Sequence, residues 1–82
     1  MKLQKLIDVL NETVKVEVEV DKELPKEVKR LYDGDVGHIP ESSIVREAQV
    51  IEVWPKEDLL HIEVSLDYAS IVLHIAEKLK EK

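Results

Sequence analysis

Three histidines, His38, His61 and His74, are the residues in this chain best suited to acid–base or metal chemistry. Their spacing does not assemble a site. No two of them stand at i, i+4, the spacing that puts a pair of imidazoles on one helix face to hold zinc. One falls in a loop, one in a strand pattern and one in a helical pattern. His61 is expected opposite Glu52 in a hairpin, as a cross-strand ion pair. Ser42, Ser43, Ser65 and Ser70 lack the context of a nucleophile elbow. Asp33, Asp35 and Gly37 resemble the opening of a calcium loop, but the glutamate needed at its twelfth position is replaced by Ile44. There is no glycine-rich phosphate loop, and the absence of cysteine excludes thiol nucleophiles, disulfides and zinc–thiolate sites. The sequence therefore predicts no catalytic, cofactor-binding or metal-binding residue, and a protein that is not an enzyme by itself.

The elements that would position these side chains are organised around Gln49 to Leu66, QVIEVWPKEDLLHIEVSL. This stretch reads as a β-hairpin closed by a four-residue turn, Pro55 to Asp58. That turn sets Val53 opposite Leu60, Glu52 opposite His61, Ile51 opposite Ile62 and Val50 opposite Glu63. Alternation then makes one face almost wholly apolar, with Val53, Leu60, Ile51, Ile62, Val64 and Leu66. The other face mixes Val50, Trp54 and Leu59 with Glu52, His61, Glu63 and Ser65. A sheet with one wet face alternates more cleanly than this, so the second face is expected to be partly covered, by another chain or by the N-terminal helix.

Upstream, Leu3, Leu6, Ile7 and Leu10 form one helical stripe in residues 2–11, facing either a partner or the chain's own sheet. Residues 13–20, TVKVEVEV, alternate without a break, with Val14, Val16, Val18 and Val20 inward and Lys15, Glu17 and Glu19 outward. Leu24, Val28, Leu31 and Tyr32 return to helical spacing over residues 21–32, with Pro25 in the first turn and Gly34 as the stop. Residues 33–43 are a loop, and residues 43–48 fit a short helical turn before the hairpin. Asp67 is a good N-cap for a last helix over residues 68–82, with the lysines at its C-terminal end. Tyr68, Ile71, Val72, Ile75 and Leu79 form its main stripe, which Ala69, Leu73 and Ala76 widen beyond what one sheet needs. The predicted fold is a single α+β domain over residues 1–82. It has two layers, a three-stranded antiparallel sheet with helices packed on one face, in the order α-β-α-β-β-α.

With 82 residues such a domain buries roughly 60–65% of its unfolded surface. Charged residues make up 37% of the chain, a bias that suits a thermophile. The net charge of −6 argues against nucleic acid as a stand-alone partner, because phosphate binding is driven by Lys and Arg. No segment approaches the ~20 apolar residues of a membrane span and no signal-peptide run follows Met1, so a soluble, cytoplasmic protein without a membrane partner is expected. The remaining signal is surface hydrophobicity. Val50, Trp54 and Leu59 on the hairpin, with Ala69, Leu73 and Ala76 on the last helix, are the predicted partner interface. The three hairpin residues would contribute roughly 5–9 kcal/mol gross, against about 4–15 kcal/mol for association. The helix residues are therefore needed as well.

From Val14 to Lys82 the chain resembles the small dimerising subunit of the archaeal KEOPS complex. The resemblance is carried by VKVEVEVD and its following helix, by AQVIEVWPKEDLLHIEVSLD, and by a helix opening DYASIVLHIAEKL. The family's last helix usually carries an Arg a few residues after its acidic cap, where Ile71, Val72 and Leu73 stand here. The N-terminal helix is extra. These departures suggest a divergent paralogue that partners the ordinary small subunit and, through it, the catalytic subunit. The resemblance implies a non-catalytic accessory and dimerisation role in threonylcarbamoyl-adenosine modification of tRNA, with tRNA met only inside the complex. The alternative is a free-standing homodimeric module, an adaptor or antitoxin-like protein, using the same residues. A double-stranded-RNA domain fits poorly, because residues 21–43 are too long for the tight turn between its first strands.

Overall fold

The computed structural model describes residues 1–80. Its elements are α1 (Leu3–Val9), β1 (Lys15–Val20), α2 (Lys26–Lys29), β2 (Arg30–Asp35), β3 (Gln49–Lys56), β4 (Leu59–Ser65) and α3 (Tyr68–Lys80), with single turns of 3-10 helix at Val36–His38 and Ile44–Glu47. The expected run of the last helix through Glu81 and Lys82 lies outside the described residues. The α+β class is as expected, but the sheet is not three-stranded and antiparallel. It has four strands in the order β2-β1-β4-β3, and its central pair, β1 and β4, is parallel.

The additional strand comes from the stretch with helical spacing. Only one turn of helix forms, Lys26–Lys29 behind Pro25 at the N-cap. Arg30 is already extended, and the chain runs back antiparallel to β1, pairing Tyr32 with Val18 and Gly34 with Val16. Val16, Val18 and Val20 are fully buried, so β1 is a central strand. A helix over residues 21–32 would leave one edge of β1 with unpaired backbone groups, which is costly beside a core. Leu24, Val28, Leu31 and Tyr32 still reach the core from the observed path, because a bulge at Leu31 lets that residue and Tyr32 both point inward. Pairing across the sheet overrides the local period.

The hairpin forms, with a shorter turn and a shifted register. Lys56 pairs with Leu59, so two residues close it rather than four, and Glu57 adopts φ 55° to do so. Val53 lies opposite Ile62 and Trp54 opposite His61, while Glu52 faces Glu63 and not His61. This shift of two residues preserves the faces. A bulge at Ile51 then reverses them beyond it, and Val50 pairs with Val64 on the core side. Ile51 and Val53, expected in the core, are exposed. Left-handed backbone at a non-glycine residue costs roughly 1 kcal/mol. Glu57→Gly is expected to raise stability by about 0.5 kcal/mol after its unfolded-state entropy is deducted, read as a higher urea midpoint at unchanged slope.

Helices and 3-10 turns cover one sheet face and, among the described residues, leave the other without a covering layer. Leu3 of α1, Val45 and Ala48 of the second 3-10 segment, and Ile71 of α3 close over Val16, Val18, Ile62 and Val64. Thus α1 packs on its own sheet. Its entry is also tied to β3, where Val50 N donates to Met1 O at 2.8 Å and Leu3 N donates to Ala48 O at 2.8 Å. Asp67 caps α3 as expected, its Oδ1 accepting from Ser70 N at 2.7 Å. Ser43 Oγ accepts from Val45 N at 3.2 Å, which starts the 3-10 turn.

Candidate functional site

The open sheet face brings together charged and aromatic residues from all four strands. Glu17 lies beside His61 in the parallel ladder, Trp54 lies opposite His61, and Arg30 lies opposite Glu19. Alternation points all of them away from α1 and α3. His61 Nδ1 is 2.7 Å from Glu17 Oε1 and donates to it. Arg30 Nη2 reaches Glu17 Oε2 at 3.3 Å and Glu19 Oε2 at 3.8 Å, and Lys56 Nζ is 3.4 Å from Glu17 Oε1. The Trp54 indole stacks on the imidazole with centroids 4.2 Å apart and planes at 24°. Glu17 is 5% exposed and His61 6%, although no helix lies over them. Their cover is made of neighbouring side chains, including the Trp54 ring.

Burial alone would push the Glu17 carboxyl upward. The hydrogen bond from His61 and the charges of Arg30 and Lys56 outweigh it and hold the group below its ordinary value of 4.5. A carboxylate bonded to imidazole Nδ1 is also the arrangement that orients a general base. Here Trp54 closes over the ring, and Nε2 is directed toward Glu19 at 3.9 Å. The imidazole therefore has little access to a substrate in solution. Glu17, Glu19 and His61 also bring three metal-binding atoms within 4.8 Å of one another. Two carboxylates are already met by two cations, so a divalent ion would have to displace Arg30 and Lys56 before it gained charge complementarity. The arrangement fits a structural charge cluster.

The sequence-predicted interface residues are divided between the two sides of the sheet. Trp54 is 37% exposed and belongs to the open face. Leu59 is half-buried on that face. Val50 is turned into the core by the bulge. Ala69, Leu73 and Ala76 lie together on α3, facing solvent. With Val72, and with Tyr68 and Leu79 on the flank nearer Ile71, each more than half exposed, they form an apolar band on the solvent side of the helix. Hairpin and helix residues thus form no continuous patch, because the sheet separates them.

The sequence reading missed the Glu17–His61 pair. The alternation placed Glu17 on an outward face and His61 on the mixed hairpin face opposite Glu52, but nothing local indicated that residues 44 apart in sequence are neighbours. It also placed His74 on a polar helix face. His74 Nε2 instead donates to Leu31 O at 2.9 Å and lines a cleft of about 250 Å³ between α3, β2 and residues 38–45. No helix among the described residues is long and apolar enough to cross a membrane. Comparison with family models, curated proteins and solved structures finds no match to this chain.

Proposed function

We propose that this chain is a non-catalytic subunit that acts by protein–protein association, pairing the outer face of α3 with the same face of a second copy. The observation that carries this reading is the apolar band on the solvent side of α3, opposite the side that fills the core. Contiguous apolar surface of this kind marks interaction sites. Ala69 and Ala76 stand at equal distances from the midpoint between Val72 and Leu73, which are both large and apolar. An antiparallel pair with its two-fold axis between Val72 and Leu73 therefore sets Ala69 against Ala76 of the second copy, where small side chains permit close approach. The six residues of the band expose on the order of 500 Å² per chain, so a pair would bury about 1,000 Å², the lower limit for a specific interface. An interface of that size belongs to the weak or transient class. The wider setting implied by the sequence resemblance is an accessory role in a KEOPS-type, tRNA-modifying assembly, in which the same helix would meet a paralogous small subunit.

Single cysteines test this directly, since the chain has none of its own. Mixing the Ala69→Cys and Ala76→Cys variants under mild oxidation is expected to give a disulfide-linked dimer. Either variant alone should not link, because seven residues of helix offset each cysteine from its own equivalent by about 10 Å, beyond disulfide reach. In sedimentation equilibrium, Leu73→Glu is expected to abolish concentration-dependent association while leaving the thermal transition in place. A parent chain that stays monomeric at high concentration would overturn pairing with itself. If a protein captured by the parent chain were retained equally by Leu73→Glu, the role of α3 in association would fall too.

A further inference from the structure

The geometry points to the cleft between α3, β2 and residues 38–45 as a binding site for a small zwitterion with an apolar body, an apolar α-amino acid. This site lies on the inward side of α3 and is independent of the pairing face. Its floor is apolar and buried, formed by Leu31, Ile39 and Val45. Its walls are held in place before any ligand arrives. Arg46 grips the loop wall, with Nε donating to Pro40 O at 2.9 Å and Nη2 to Ile39 O at 2.6 Å, and Nη1 ties it to Gln4 Oε1 at 2.8 Å. The helix wall is fixed by the bond from His74 to Leu31 O. Neither the loop nor the helix therefore has to be ordered on binding, which removes one of the main costs of association.

Two opposite charges, Glu77 and Lys78, stand at the mouth of the cleft. Among the described residues neither makes an ion pair or a hydrogen bond, and the nearby Ser42 hydroxyl has no partner either. All three are exposed, and a pocket with an apolar floor and a few polar groups in its lining is the usual form of a small-molecule site. A zwitterion would set its carboxylate on Lys78 and Ser42, its ammonium on Glu77 and its apolar side chain on Leu31, Ile39 and Val45. A ligand with one charge would meet only one of the two charged side chains. The volume of about 250 Å³ accommodates a side chain as large as that of phenylalanine.

The test uses L-phenylalanine as the probe in an amide and methyl chemical-shift titration of the full chain. Saturable shifts are expected at Leu31, Ile39, Val45 and Lys78. Phenylacetate and phenethylamine, each lacking one charge, are expected to bind about tenfold more weakly, as is phenylalanine to Glu77→Gln or Lys78→Gln. Lys78→Gln should leave phenethylamine binding unchanged. Both substitutions are at exposed positions of α3 outside the core cluster, so folding is preserved. The assignment is overturned by any of three results: no saturable shift at about 10 mM probe, where even millimolar sites fill; shifts centred on Val72 and Leu73; or analogues that bind as well as the zwitterion.

Discussion

Glu17→Ala is expected to cost about 2–3 kcal/mol of folding stability, even though Glu17 lies on the sheet face that no helix covers. Removing one partner of a buried ion pair costs about 3–5 kcal/mol because the other is left uncompensated, and this site is discounted because Arg30 and Lys56 retain partial contact with water. The substitution leaves those two cations without their shared carboxylate and strips His61 Nδ1 of its acceptor. Glu17→Gln keeps the shape and should cost less. The same cluster sets an acid dependence. Since Glu17 is held below 4.5 in the folded state, its charged form stabilises the fold fully above the unfolded value, and that contribution is lost as pH falls below about 4.5 through the folded value. Urea denaturation from pH 7 to pH 3 should show the parent losing stability over this window and Glu17→Gln losing less. Parallel curves for the two would remove Glu17 as the source of the acid sensitivity.

Gly37→Ala is expected to destabilise by about 1–3 kcal/mol, the range for forcing an extra methyl group into a packed site. A Cβ at Gly37 would stand 2.6 Å from Glu12 Cβ and 2.8 Å from Glu12 O, so the Glu12 backbone would have to shift. The contact is close because Gly37 N donates to Glu12 O at 2.9 Å, extending the antiparallel run of β1 and β2 by way of Val36 N to Val14 O. Gly34 is constrained for a different reason, its φ of 145°. Thermal unfolding of Gly37→Ala beside Glu12→Gly, which removes the Cβ that an alanine would keep, separates side-chain from backbone crowding. If the double variant recovers no stability over Gly37→Ala, the clash is with the Glu12 carbonyl. A Gly37→Ala chain as stable as the parent would show that the 10–14 segment shifts freely.

Gly34 was expected to stop a helix and instead lies inside β2 opposite Val16, and the reason Gly37 must be glycine was not legible at all. Spacing in the chain could not reveal that Glu12 passes within 3 Å of it. The same division runs through the fold. Val16, Val18 and Val20 announced a buried strand. The two apolar runs around Glu57 and Asp58 announced a hairpin, and Asp67 ahead of an amphipathic stretch announced the last helix. Each is a property of residues close in sequence, where alternation, turn chemistry and capping act locally. The outward band of Ala69, Leu73 and Ala76 was legible for the same reason, because a stripe too wide for one sheet shows in the helical period alone.

Tertiary structure decided the rest. The pull of an unpaired edge on β1 made residues 30–35 a strand against their own helical spacing. The bulge at Ile51 turned Val50 from the proposed interface into the core. The parallel pairing of β1 with β4 brought Glu17, which read as solvated, onto His61, which was expected to pair with Glu52, and made a buried cluster of them. All three depend on which distant segments share backbone hydrogen bonds. That choice is made by closing the whole core around β1, and no window of neighbouring residues contains it.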